Sequence, residues 1–382
     1  LITIRIFYSK IGHMVTNKLG EWAKARLMEL AKEMDLRLNK YWDEEIEKNF
    51  GFNPTQKKLV HKILCHSKEH NLRSAKRARS AFVIYGYRLG KKLKKSKNQK
   101  FENMEGVWRA AEAVELVHTA LLMHDDFMDG DKIRRGRPTT QEFFGEGDAH
   151  YGDTMAVNVG DAILCLGFER LLECSSDREK IQRIMKQVLR GITNTAFGQA
   201  YDVSLSKIGE ITEEKVMSLH RAKTAIYTYE NPLMVGGLLA GLPEDILEIL
   251  SKYSVDGGIA FQLQDDVLGV YGNEEKIGKS ANSDLLQGKV TLLVVKVMEM
   301  GTENQKEALL KVWGKLMAED GDIEAAKLAI RESGAHTYSV NVARKYAAKA
   351  ADTAASLRGK GLNEEAIDYL EGIARYMVER EV

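Results

Sequence analysis

Between Asn17 and about Phe50, apolar side chains return at steps of three and four (Leu19, Trp22, Ala23, Leu27, Leu30, Met34, Leu38, Tyr41, Ile46), with charges in the gaps. That spacing predicts one long amphipathic helix, because a helical turn brings those positions to one face. Asn53-Pro54 marks a second helix start. Asparagine is an N-cap, proline suits the first helical position, and Gln56 is placed to close a capping box. Leu59, Val60, Ile63 and Leu64 form its apolar face. Ser80–Leu89 reads as a third helix, although Val83-Ile84-Tyr85 alone suits a strand. From Glu102 on the helical period dominates, with segments near 102–129, 153–174, 177–205, 212–240, 244–270, 287–300, 303–318, 322–334, 336–358 and 363–380. No alternating strand run bounded by hairpin signals stands out.

Composition decides how these helices are grouped. The 382 residues suggest two or three domains at roughly 150 residues each. Yet there are only four prolines, Pro54, Pro138, Pro232 and Pro243, and no internal repeat or linker divides the chain after Glu102. So few helix breakers favour an all-α fold, a single large helical bundle, with residues 14–71 as an N-terminal helical extension. Residues 1–13 read as an upstream segment, with Met14 as a start.

A hydrophobic fraction of 44% excludes a disordered chain. The balance of 56 basic against 55 acidic residues argues against a nucleic-acid partner held by bulk charge. Cys65, Cys165 and Cys174 lack metal-type spacing and read as reduced thiols of a cytoplasmic protein. No stretch has the length of a membrane span. Arg88–Lys100 carries seven basic residues in thirteen. It reads as a solvated linker, with a patch for peripheral contact with anionic lipid, or for nucleic acid, as the alternative.

Three constellations carry chemistry. Asp125-Asp126-Phe127-Met128-Asp129 ends an apolar helix, with Asp125 and Asp129 four apart on one face and Arg134 and Arg135 close behind. Carboxylates so crowded repel unless a cation neutralises them, and hard oxygen ligands suit Mg²⁺, which completes its shell with water and substrate phosphate. Gln262-Leu263-Gln264-Asp265-Asp266 ends a second apolar helix, followed by Lys279, Asp284 and Lys289. Lys76-Arg77-Ala78-Arg79 is a basic cluster upstream of both, and His118 lies two turns before Asp125 on nearly the same face. The plain alternatives are a solvated acidic helix end, a surface basic cluster and a core histidine. No Walker loop or GxGxxG opens a helix, which argues against nucleotide cradling.

These motifs resemble those of the trans-isoprenyl diphosphate synthases, the polyprenyl synthetase family, over about residues 72–382. The resemblance also rests on Gly160-Asp161, Gly198-Gln199 with Asp202, Lys223-Thr224, and the ending with Tyr376, Glu379 and Arg380. It implies the isoprenoid synthase fold, with aspartate-rich motifs on facing helices around a central cavity, and a homodimer. It further implies Mg²⁺-dependent condensation of isopentenyl diphosphate with an allylic diphosphate. By the resemblance Asp125, Asp129 and Asp265 bind Mg²⁺, three ions per liganded site, supported by Asp126 and Asp266. Arg134, Lys223 and Lys279 hold the allylic diphosphate. Lys76, Arg79, His118 and Arg135 hold isopentenyl diphosphate, and Thr224 and Gln262 face the developing cation.

The chain departs from the family pattern in three places. Ser74-Ala75 stands where two glycines are usual, Gly269 where a third aspartate is common, and the N-terminal extension is long. Val117, Ala120 and Leu121 are expected to set product length. The small side chain of Ala120 suggests a product of about twenty carbons or more. A terpene cyclase, a metal-dependent phosphohydrolase and a catalytically silent regulatory subunit are the rival readings. The cyclase requires an Asn-Asp…Ser…Glu motif in place of Gln264-Asp265-Asp266, and none is present.

Overall fold

The structure, a computed structural model, describes residues 2–48, 51–90, 104–205, 211–272 and 282–379, with side chains from residue 18 onward. Helices α1 (Ile2–Ile46), α2 (Pro54–Leu72), α3 (Ala78–Leu89), α4 (Glu105–Asp129), α5 (Thr140–Gly145), α6 (Ala149–Leu172), α7 (Arg178–Leu205) and α8 (Glu213–His220) come first. A ten-residue π segment, Arg221–Glu230, joins α8 without a break to α9 (Asn231–Ala240), and α10 (Glu244–Tyr271) follows. The remainder forms helices Ser283–Leu286, Leu292–Met300, Glu303–Leu310, Asp320–Glu332, Ala335–Ala355 and Glu364–Val378. The expected all-α bundle is therefore found. Asn53 accepts hydrogen bonds from Thr55 N and Gln56 N, and the capping box with Gln56 is complete.

Two elements depart from the sequence expectation. A two-stranded hairpin, β1 (Ile133–Arg134) paired antiparallel with β2 (Arg137–Pro138), follows α4. It is too short to leave an alternating pattern, and its turn uses positive φ at Arg135 (53°) and Gly136 (73°). The expected 303–318 helix stops at Leu310 and gives way to turns.

The main packings are α4 on α6, α10 on Ala335–Ala355, and α3 on α9. The apolar stripe of α1 (Ala23, Leu27, Met34, Leu38) enters the largest core together with α3, α9, α10 and the Glu364–Val378 helix. Each buried leucine there contributes about 1.5–3 kcal/mol, so the extension shares the bundle's own core. Tyr85 of α3 stacks on Tyr369 with ring centres 3.5 Å apart.

The π segment is the feature that places the site. Pro232, just beyond it, lacks an N–H for the ladder, and the Asn231 N–H reaches back five residues to Ile226 O. Two glycines let neighbouring helices approach the widened turn. A Cβ on Gly198 of α7 would lie 2.8 Å from Lys223 N, and one on Gly258 of α10 would lie 2.4 Å from Ala225 Cα. π turns inside α-helices concentrate at functional sites.

Candidate active site

The acidic end of α4 is closed by Gly130, whose N–H caps Asp126 O and Phe127 O in the left-handed conformation. Asp125 and Asp129 are each met by a lysine. Lys223 Nζ lies 3.5 Å from Asp125 Oδ1 and donates to Asp202 Oδ2 at 2.6 Å. Lys289 Nζ lies 2.9 Å from Asp129 Oδ2 and 3.4 Å from Asp284 Oδ1. Gln199 donates to Asp129 Oδ1 at 3.4 Å, and Gln287 to Asp131 Oδ1 at 2.7 Å. Burial raises the Asp129 carboxyl above the usual carboxylate range; Lys289 opposes the shift and the charge of Asp125 adds to it. Lys289 and Lys223 are held above the ordinary lysine value, because Asp284 and Asp129 outweigh burial at the first, and Asp125 and Asp202 at the second.

Thr224, the next residue on the π segment, reaches the other acidic helix. Its Oγ1 donates to Gln262 Oε1 at 2.7 Å, and Gln262 Nε2 donates to Asp266 Oδ1 at 2.8 Å. The buried Asp266 also has His220 Nε2 3.1 Å from its Oδ2. Neighbouring residues of one widened turn thus tie the ends of α4 and α10 together. Asp265 is half-buried beside them, and Lys279 lies outside the described residues.

Asp126 is placed differently from its acidic neighbours. It is fully buried, and Arg134 donates to its Oδ1 from Nε at 2.6 Å and from Nη2. His70 lies 3.8 Å away. Arg134 is itself buried, with Asp131 at 3.5 Å and Asp125 at 3.6 Å. The pair holds the hairpin against α4, and Arg73 of α2 grips the same hairpin through Arg134 O (3.0 Å) and Pro138 O (2.8 Å).

The expected isopentenyl-diphosphate residues gather on the other side of the hairpin. Arg79 donates to Thr228 Oγ1 at 2.8 Å and stacks over Tyr227. The Tyr227 ring centre is 6.0 Å from that of His118. Arg135 donates to Arg73 O at 3.1 Å. Among the described residues neither Arg79 nor Arg135 has a carboxylate within ion-pairing distance. Burial and then the neighbouring Arg77 push the Arg135 guanidinium down to about 10, with Glu115 opposing the shift. Burial and then Arg79 hold His118 well below its usual value, and its Nδ1 has no hydrogen-bond partner. Such a field of uncompensated cations around a neutral imidazole suits a polyanion. Lys76 is exposed.

The three expected product-length positions separate. Leu121 is half-buried on the Asp125 face. Val117 lines a narrow apolar crevice with Val114, Leu171, Val188 and Tyr227. Ala120 is fully buried in the cluster of Leu116, Met123, Trp42 and Met155, about 140° around the helix from Asp125.

Asp284 and Lys289 were expected behind the second acidic motif without an assigned partner, and Gln287 and His220 were not among the expected site residues. Their only sequence signal is position downstream of the second acidic motif for the first three, and just before Lys223 for His220. The donor set fits a divalent cation, with hard carboxylate oxygens at Asp125 and Asp129 and lysines beside them. Among the described residues no three such ligands converge into a complete shell, as expected for an ion that takes much of its coordination from water and phosphate.

Comparison with known proteins agrees with this geometry. The family model described as Polyprenyl synthetase matches residues 61–330. The chain is 31% identical to "Geranylgeranyl diphosphate synthase" of Saccharolobus solfataricus, over 72% of this chain and 80% of that protein. It is 33% identical to the protein of the same name from Methanosarcina mazei, over 73% and 81%. It is 34% identical to "(2E,6E)-farnesyl diphosphate synthase" of Mycobacterium tuberculosis, over 71% and 73%. Among solved structures, a geranylgeranyl pyrophosphate synthase from Corynebacterium glutamicum, complexed with isoprenyl diphosphate and magnesium, superposes with a TM-score of 0.77 at 26% identity, covering 96% of this chain and 99% of that one. The Pyrococcus horikoshii geranylgeranyl pyrophosphate synthetase gives 0.75 at 29%, covering 94% and 99%. With its aspartate helices, its lysines and its arginine pocket so arranged, this chain belongs to the polyprenyl synthetase family.

Proposed function

We propose that the protein is a prenyltransferase that joins isopentenyl diphosphate to an allylic diphosphate, head to tail and trans, releasing pyrophosphate. The observation that carries the reading is the pairing of Lys223 with Asp125 and of Thr224 with Gln262 from one π turn. It brings a cation for the leaving group beside polar groups for the developing carbocation. The relatives' names support a product of geranylgeranyl length.

Asp125, Asp129 and Asp265 would hold Mg²⁺, three ions in the liganded site, and that charge would stabilise the departing pyrophosphate. Lys223 and Lys289 hold phosphate oxygens, with Lys279 as a further candidate. Arg134 acts mainly through Asp126 and the hairpin. Arg79, His118, Arg135 and Lys76 bind isopentenyl diphosphate and aim its double bond. The allylic C–O bond breaks with its electron pair leaving on pyrophosphate. The isopentenyl double bond then forms the new C–C bond, and a pyrophosphate oxygen accepts the proton lost. Thr224 and Gln262 present oxygens to the cation, and alignment of two bound substrates supplies much of the acceleration.

The exposed apolar residues Val157 and Leu172 of α6 and Leu189, Phe197 and Val203 of α7 support a homodimer across those helices. Light scattering tests it. Among the described residues no helix is long and apolar enough to cross a membrane. We place the enzyme in the cytoplasm, with peripheral lipid contact at most, which cell fractionation tests. The activity is tested with purified protein, Mg²⁺, labelled isopentenyl diphosphate and each allylic starter, reading product length by chromatography. Asp125→Ala abolishes turnover in a folded protein. No incorporation with any starter would favour the silent-subunit reading.

A further inference from the structure

Arg77 stands in sequence between the two pocket cations Lys76 and Arg79, yet its guanidinium is taken up by Asp35, Glu115 and Asn71 O. It adopts a left-handed backbone (φ 52°) at the start of α3. That conformation is unfavourable for a residue with a Cβ and persists only where the surroundings over-determine it. Ser74 and Ala75, the residues that replace glycine, do not take positive φ. The unusual backbone of this turn sits at Arg77 instead.

Its guanidinium is held on three sides. Nε donates to Asp35 of α1 at 2.8 Å, Nη1 to Glu115 of α4 at 3.0 Å, and Nη2 to Asn71 O of α2 at 2.6 Å. Glu115 also accepts from Ser80 Oγ at 2.7 Å. Asn71 donates to Thr119 Oγ1 at 2.6 Å and accepts from Trp42 Nε1 of α1 at 2.9 Å. Glu115 and Thr119 bracket His118 on α4. One buried network therefore fixes α1, α2, α3 and α4 beneath Arg79, His118 and Arg135. Asp35 and Glu115 ion-pair with Arg77, whereas among the described residues Arg79 and Arg135 have no carboxylate within ion-pairing distance.

We propose that Arg77 and Asp35 are positioning residues for the isopentenyl diphosphate pocket, and that the N-terminal extension serves the reaction by supplying Asp35 and Trp42. This rests on the reading of Arg79, His118 and Arg135 as that pocket.

The test compares Arg77→Lys, Asp35→Asn and Arg79→Ala, measuring KM for each substrate, kcat and thermal unfolding. One lysine nitrogen cannot reproduce a three-way fork. Arg77→Lys therefore raises KM for isopentenyl diphosphate by about tenfold, the factor carried by one charge-assisted hydrogen bond. The allylic KM and kcat stay within about twofold, as expected when only binding at one pocket is lost. Asp35→Asn shifts the same KM in the same direction by less. Equal loss at both substrates, or an unchanged isopentenyl KM while Arg79→Ala raises it, overturns the proposal and leaves the pocket assignment standing. No effect of Arg79→Ala removes the pocket assignment and the proposal with it. If Arg77→Lys does not fold, Asp35→Asn decides alone, since its side chain is 44% exposed and tolerates the change; an unchanged isopentenyl KM there refutes the proposal.

Discussion

Replacing Asp126 by asparagine separates two roles that the sequence runs together. As a metal ligand, Asp126 would govern the Mg²⁺ requirement. As the partner of Arg134, it governs stability. The carboxylate is fully buried and takes two hydrogen bonds from one guanidinium. Removing one partner of a buried ion pair costs about 3–5 kcal/mol, because the other charge stays desolvated. Here Arg134 retains Asp131 at 3.5 Å and Asp125 at 3.6 Å, so we expect about 2–3 kcal/mol. Unfolding entropy of about 2.1 cal/mol/K per residue, over 382 residues, gives roughly 0.8 kcal/mol per degree. The melting temperature in EDTA should therefore fall by about 2.5–4 °C. Thermal unfolding by circular dichroism, without divalent ions, reads this directly. An unchanged Tm together with a sharply raised Mg²⁺ requirement would refute the pairing role and return Asp126 to the metal.

Three further outcomes are expected. Burial holds His66 (about 3), His70 and His118 below the ordinary histidine value. The unfolded chain thus binds protons below pH 6.5 that the folded chain refuses, so stability falls as pH falls from 7.5 to 5.5, by about 1.4 kcal/mol for each histidine that stays neutral over that range. Urea unfolding at the two pH values checks it, and equal midpoints would contradict it. Lys289→Met removes the cation 2.9 Å from Asp129 and should lower kcat/KM for the allylic substrate by about 10²-fold, as loss of a charge-stabilising donor does, with little change in isopentenyl KM. Leu121→Phe, on the Asp125 face, should shorten the product on chromatography. Ala120→Tyr instead meets Trp42 and Met155 and lowers stability by about 1–3 kcal/mol; an undiminished Tm would show that the ring reaches open space.

The helices were readable because their signals are local. The Asn53-Pro54-Gln56 cap and the apolar period of α4 and α10 need no knowledge of the rest of the chain. The acidic motifs were readable for the same reason, since spacing along one helix fixes their face. What escaped depends on distant partners. Nothing near Asp126 reveals that its side chain turns to Arg134 rather than to the face of Asp125. Nothing near Glu115 or Arg77 reveals that they are buried against each other. The β1–β2 hairpin offers two residues per strand, below what periodicity can register. Lys289 is found at Asp129 only because the chain after α10 folds back to it.

The π segment also constrains how the gene can change. An α-helix rotates by about 100° per residue, and the widened turn lets Lys223 and Thr224 address α4 and α10 while Asn231 and α9 keep their own seats. Deleting one residue between Ala225 and Glu230 would let the helix relax to the α form, and everything beyond it would swing round relative to Lys223. Either the lysine would leave Asp125 or α9 would leave α3. Length variation among descendants of this chain should therefore collect in the loops on either side of this helix and stop at its borders, making the widened turn a fixed ruler of the sequence.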